Sequence, residues 1–147
     1  MISYCDMTVQ LEDADYRRLL EMRTALRRFL HWSDRQARAV GLTSPQHQLL
    51  LAVRGHPEPE GPTIADVADY LLLRHHSAVG LVDRAAAAGL LTRNRDADQH
   101  RAVRLRLTAA GEAKLAALAA RHLDELRHLT PTIAALTETL GSSAGAS

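Results

Sequence analysis

The sequence predicts a mainly α, α+β fold, and three observations carry that prediction. Aromatic residues make up only 3% against 46% hydrophobic residues in all, so the core is built from Leu, Ala and Val. Of these, Leu and Ala lose little on entering a helix. Apolar residues recur at three- and four-residue spacing over most of the chain. The exception is a pair of short segments, Leu90–Arg95 and Ala102–Leu107, the second alternating apolar residues with Arg as a half-buried strand does. A length of 147 residues suits a single domain with a real core.

In chain order, residues 1–11 read as a loose arm. Tyr16, Leu19, Leu20, Arg23, Leu26, Phe29 and Leu30 then mark a long helix over residues 12–40, stopped by Gly41. Thr43-Ser44-Pro45 opens a second helix, with a hydroxyl to cap it and Pro where a missing N–H costs nothing. Gly55 to Pro62 holds three prolines and two glycines, so it reads as an exposed loop ending in a very short strand. Thr63 and Asp66 form a variant capping box for a third helix carrying Ile64, Val67, Ala68 and Leu71. After a break at Leu72-Leu73-Arg74, a fourth helix carries Val79, Leu81, Val82, Ala85 and Ala86 and ends at Gly89. The two strands follow, with Asp96–Arg101 as their polar turn. Thr108 caps a last helix over residues 109–140, which Pro131 is expected to kink or divide, and 141–147 reads as a flexible tail.

Charge is distributed unevenly. Net charge is only +1, but Arg74 to Thr108 holds seven Arg and three Asp, giving +4 and leaving −3 for the rest. A local positive face suits a protein laid on a phosphate backbone; a solvated charged surface is the plainer alternative. No apolar run reaches the roughly 20 residues of a membrane span and the N-terminus lacks a signal-peptide pattern, so a cytoplasmic protein with no membrane partner is expected. The single cysteine, Cys5, offers no internal disulfide and no Cys-based metal motif. No Ser-His-Asp spacing, phosphate loop, HExxH or paired-carboxylate motif points to an enzyme, and no cofactor or metal is expected.

Two short helices followed by a charged hairpin is the order of a winged helix-turn-helix, here flanked by long N- and C-terminal helices. In such a fold the second helix of the pair enters the major groove of double-stranded DNA and the hairpin reaches along the backbone to a minor groove. Arg74, His75, His76 and Ser77 fall at the end of that helix that meets bases, with Arg84 further along it. Arg93, Arg95 and Arg101 charge the wing, and Asp96 or Asp98 can orient one of them by a charge-assisted pair. His31, Trp32, Arg35 and His47 are candidates for a site that takes an anionic aromatic ligand; the alternative is that Trp32 and His47 are core and Arg35 solvated. His75, His76 and His100 read as DNA contacts or solvated residues rather than a metal cluster, since adjacent helical side chains diverge by about 100°. Cys5 reads as a surface thiol, with redox sensing as the alternative.

The stretch Ile64–Leu71, then Val79–Ala85, then Ala88-Gly89-Leu90-Leu91, resembles the MarR family of bacterial regulators. So does the wing running into Arg104–Gly111. The resemblance covers residues 15–140, and its most specific parts are Leu81-Val82-Asp83-Arg84 and Leu107-Thr108-Ala109-Ala110-Gly111. It implies a cytoplasmic homodimer with intertwined terminal helices, acting as a repressor on a pseudo-palindromic operator. It also implies release by a small, often aromatic, anionic effector. The chain departs from the family pattern at Leu72, where a small turn residue is common, and at Arg74, where Ser or Thr often caps. Gly80, Gln99 and His100 depart as well. A winged-helix module that binds protein rather than DNA is the second reading; the basic recognition segment and wing weigh against it.

Overall fold

The computed structural model describes residues 10–95 and 102–142. Its elements run α1 (Asp13–Ala39), α2 (Ser44–Gly55), α3 (Ile64–Leu71), α4 (His75–Ala87), β1 (Leu91–Arg95), β2 (Val103–Leu107) and α5 (Ala109–Ser142). They form two compact units. Ser33–Glu125 is one, and Met1–Trp32 with Leu126–Ser147 is the other, so α1 and α5 contribute to both.

The unit from Ser33 to Glu125 holds the core. Leu49 and Leu50 of α2, Val67 of α3, Leu81, Val82 and Ala85 of α4, Leu91 of β1, Leu105 of β2, and Leu115 and Leu118 of α5 pack together. Removing each such leucine from water contributes about 2 kcal/mol. The helix starts are locally determined. Thr43 Oγ1 accepts from the Gln46 N–H while Gln46 Oε1 accepts from the Thr43 N–H, a reciprocal box ahead of Pro45. Thr63 and Asp66 repeat the arrangement at α3. The backbone N–H of Thr63 holds the Asp66 carboxyl below its ordinary value, helped less by the Thr63 hydroxyl, His56 and Arg104 and opposed by burial.

β1 and β2 form one antiparallel pair, with Leu91 opposite Leu107, Arg93 opposite Leu105 and Arg95 opposite Val103. Leu91 and Leu105 face the core; Arg93 and Arg95, further along the same face, and Arg106 are exposed, while Arg104 is partly buried. The short strand expected before α3 does not form among the described residues. One bond takes its place, from the Leu105 N–H to the Pro62 carbonyl at 3.0 Å. Pro62 has no N–H with which to continue a ladder. Gly61, at φ +87, lies so close to the Leu105 carbonyl that a Cβ would collide with it. Arg104 ties the same loop down through the Gly61 carbonyl at 3.2 Å and Glu58 at 3.4 Å.

In the other unit, α1 presents Leu19, Leu20 and Leu30 at 57%, 64% and 63% exposure, and Phe29 stacks on Trp32 with ring centroids 5.9 Å apart. A groove of about 440 Å³ runs between α1 and α5, lined by Leu20, Thr24, Arg28, Thr132 and Leu136. The division expected at Pro131 does not occur: α5 is one element through to Ser142. Pro131 removes one backbone donor, and the preceding Thr130 hydroxyl bonds the Leu126 carbonyl at 2.7 Å on the helix's exposed side. No helix among the described residues is long and apolar enough to cross a membrane.

Candidate nucleic-acid interface

α4 buries Ala78, Leu81, Val82 and Ala85, an i, i+3, i+4, i+7 stripe, against the core. That pins the helix by one side and leaves its N-terminal end outward. Arg74 is the N-cap, extended at φ −69 and ψ 151, and its side chain makes no capping bond. Arg74, His75, His76 and Ser77 are all exposed. The structure therefore brings these four together on one projecting end, where first-turn N–H groups and the helix dipole favour phosphate.

Arg84, one turn from the helix end, is exposed as well. Its guanidinium lies over Gly80, where a Cβ would stand 3.2 Å from Nη1. Gly80 thus leaves a shallow bed for Arg84 on the open face of α4. The pairing was readable only as an i, i+4 spacing.

On the wing, Arg95 is exposed and Arg93 is ion-paired with Asp83 of α4. In the sequence Asp83 stood out only as part of the Leu81–Arg84 motif, with no pairing role, and wing orientation fell to Asp96 and Asp98. The pair joins β1 to α4, which fixes one against the other. Asp96, Asp98, Gln99, His100, Arg101 and Cys5 lie outside the described residues.

The ligand candidates fall in different places. His31 and Trp32 belong to the unit of terminal helices, where His31 is exposed and Trp32 stacks on Phe29. Arg35 and His47 belong to the other unit; Arg35 is exposed and His47 is 7% exposed in the core. His47 meets His122, with ring centroids 4.8 Å apart, a pairing the sequence did not suggest. His122 is held from both sides, with Nδ1 2.7 Å from the Leu118 carbonyl and Nε2 2.7 Å from the Ser33 hydroxyl. Burial, and then the neighbouring His122, lower the pKa of His47. Among the described residues no cluster of three or more His, Cys, Asp or Glu is arranged to hold a metal.

Two adjoining helices, the second open at its N-terminus, followed by a hairpin strapped to that helix, define a winged helix-turn-helix protein. Residues 40–102 match the MarR family model. The solved structures agree in fold. MepR, a transcription regulator of the Staphylococcus aureus multidrug efflux pump MepA, superposes at TM-score 0.70 with 21% identity, over 86% of this chain and 97% of that one. A mutant of S. aureus MepR bound to an oligodeoxyribonucleotide gives 0.65 at 20% identity, over 86% and 96%. BpsR of Bordetella bronchiseptica, whose DNA binding is regulated by 6-hydroxynicotinic acid, gives 0.51 at 21%, over 80% and 79%. No curated protein sequence matches significantly. The chain thus has a winged helix-turn-helix fold similar to that of MarR-family regulators, and its residues 40–102 carry the match to that family.

Proposed function

We propose that the chain, as a single MarR-like domain, is a homodimeric repressor of a pseudo-palindromic operator. On this reading α4 enters the major groove, with Arg74, His75, His76 and Ser77 at base edges and Arg84 on the backbone. The wing follows the adjacent minor groove through Arg93, Arg95 and Arg101, with Asp96 and Asp98 orienting its tip. The observation that carries the reading is the exposed Arg74–Ser77 end of α4, pinned by its buried opposite stripe. DNA bound to the MepR mutant supports it by analogy of fold.

The dimer is supported by α1, whose Leu19, Leu20 and Leu30 are too exposed to be stable in water over a long helix. A second copy covers them. A small anionic aromatic effector, bound with the help of His31, Trp32, Arg35 and His47, releases the DNA; the regulation of BpsR by 6-hydroxynicotinic acid supports that ligand class. The test is selection of bound duplexes from fragments of the source genome by the full chain. Enrichment of an inverted repeat, its half-sites about 34 Å apart or a multiple of that, is the expected result. No enrichment at low salt overturns the proposal and favours a protein-binding module.

A further inference from the structure

The turn between α3 and α4 contains a residue whose side chain suits neither its backbone nor its surroundings. Leu72 has φ 54 and ψ 43, and among the described residues no other non-glycine has a positive φ. Elsewhere the chain meets the same demand with glycine, at Gly41, Gly61 and Gly89. The turn itself is made by the main chain. The Leu72 N–H reaches the Ala68 and Asp69 carbonyls, and the Leu73 N–H donates to the Ala68 carbonyl at 2.9 Å. These are the bonds of a Schellman stop, which Gly or Asn completes without strain.

The Leu72 side chain is not held there by the core either, being 92% exposed. An isobutyl group on a left-handed backbone, left in water, costs the folded chain stability and gains it no contact. Its position is what distinguishes it. Leu72 stands two residues before the N-cap of α4 and begins the exposed run 72–77. No acidic residue lies between Asp69 and Asp83, and Arg74 stands two residues on from Leu72. A polyanion can therefore approach this edge.

We propose that Leu72 is a specificity-determining residue. Its methyl groups contact the 5-methyl group of a thymine beside the bases met by Arg74–Ser77, the apolar contact by which a major groove distinguishes thymine. The inference rests on the reading of α4 as the groove helix and adds a residue and a base type to it.

The test uses the full chain and a duplex selected by the unmodified protein. Affinities are measured by fluorescence anisotropy for the unmodified protein, Leu72→Gly and Leu72→Asn. Both variants are expected to unfold at higher temperature than the parent, because each suits the turn. Both are expected to bind the selected duplex about tenfold more weakly, with an unrelated duplex changed by less than about threefold. Replacing thymines one at a time by deoxyuridine deletes only the methyl group. At one position in each half-site this is expected to weaken the parent by about fivefold and leave Leu72→Gly unaffected. Unchanged affinity in the two variants overturns the inference while leaving DNA binding in place. A changed oligomeric state in sedimentation with unchanged DNA affinity overturns it in favour of a protein contact. Failure of the parent to bind any duplex removes the reading on which it rests.

Discussion

The two units of this chain spend their leucines differently. In Ser33–Glu125, Leu49, Leu50, Leu91, Leu105 and Leu118 are closed off from water by one another. In the unit of terminal helices, Leu19, Leu20, Leu26 and Leu30 stand at 57%, 64%, 48% and 63% exposure along α1. The same residue type thus makes a finished core in one place, from several elements, and an unfinished stripe on a single helix in the other. The proposed second copy would cover the unfinished stripe, whereas the winged helix already closes its own core.

The comparison breaks most sharply under substitutions that each unit should feel alone. Leu105→Ala, in the finished core, is expected to destabilise the folded chain by about 3 kcal/mol in urea unfolding. Gly61→Ala should act in the same direction, since a new Cβ meets the Leu105 carbonyl at a left-handed position. A double substitution Leu20→Glu and Leu30→Glu is expected to leave the winged helix folded by circular dichroism. Its effect is on association: the dimer dissociation constant should rise about a thousandfold or more by sedimentation, because each copy loses two apolar contacts in a symmetric interface. A monomeric parent, or a double variant that stays dimeric, would undo the contrast.

A finer effect lies in the His47–His122 pair. His47 has its pKa lowered from 6.5, by burial first and His122 second. The folded chain therefore binds fewer protons than the unfolded chain just below pH 6.5. Its contribution is complete above that value and declines as pH falls through it. The urea midpoint is expected to drop between about pH 7.5 and about pH 5.5, and His47→Gln to flatten that slope. The smallest expected effect is at Gly80. Gly80→Ala gains helix propensity, so stability rises by up to about 1 kcal/mol, while Arg84 is lifted from its bed and DNA affinity falls severalfold.

Much of this was legible in the sequence because the signals are local. Thr43, Thr63 and Gly41 mark helix ends by rules that act within one turn, and the Arg104-Leu105-Arg106-Leu107 alternation sets which side of β2 is buried. The exposed end of α4 was legible for the same reason. What was missed depends on neighbours distant in sequence or on competing local preferences. Asp83 and Arg93 meet only because the hairpin folds back on α4, and His47 meets His122 across 75 positions. Pro131 was read as a kink or a division, and no division occurs: α5 continues through it as one element. Pro62 was read as strand, yet it accepts a single bond because it has no hydrogen to return.

The central claim is that the unit Ser33–Glu125 is an electrostatic reading head for DNA. It is tested most directly by the salt dependence of affinity for a selected duplex. With several arginines on phosphates, log K is expected to fall linearly with log salt at a slope of about −4 to −7. Arg84→Ala should make that slope shallower by about 1. A slope near zero, or an affinity equal at low and high salt, would contradict the account.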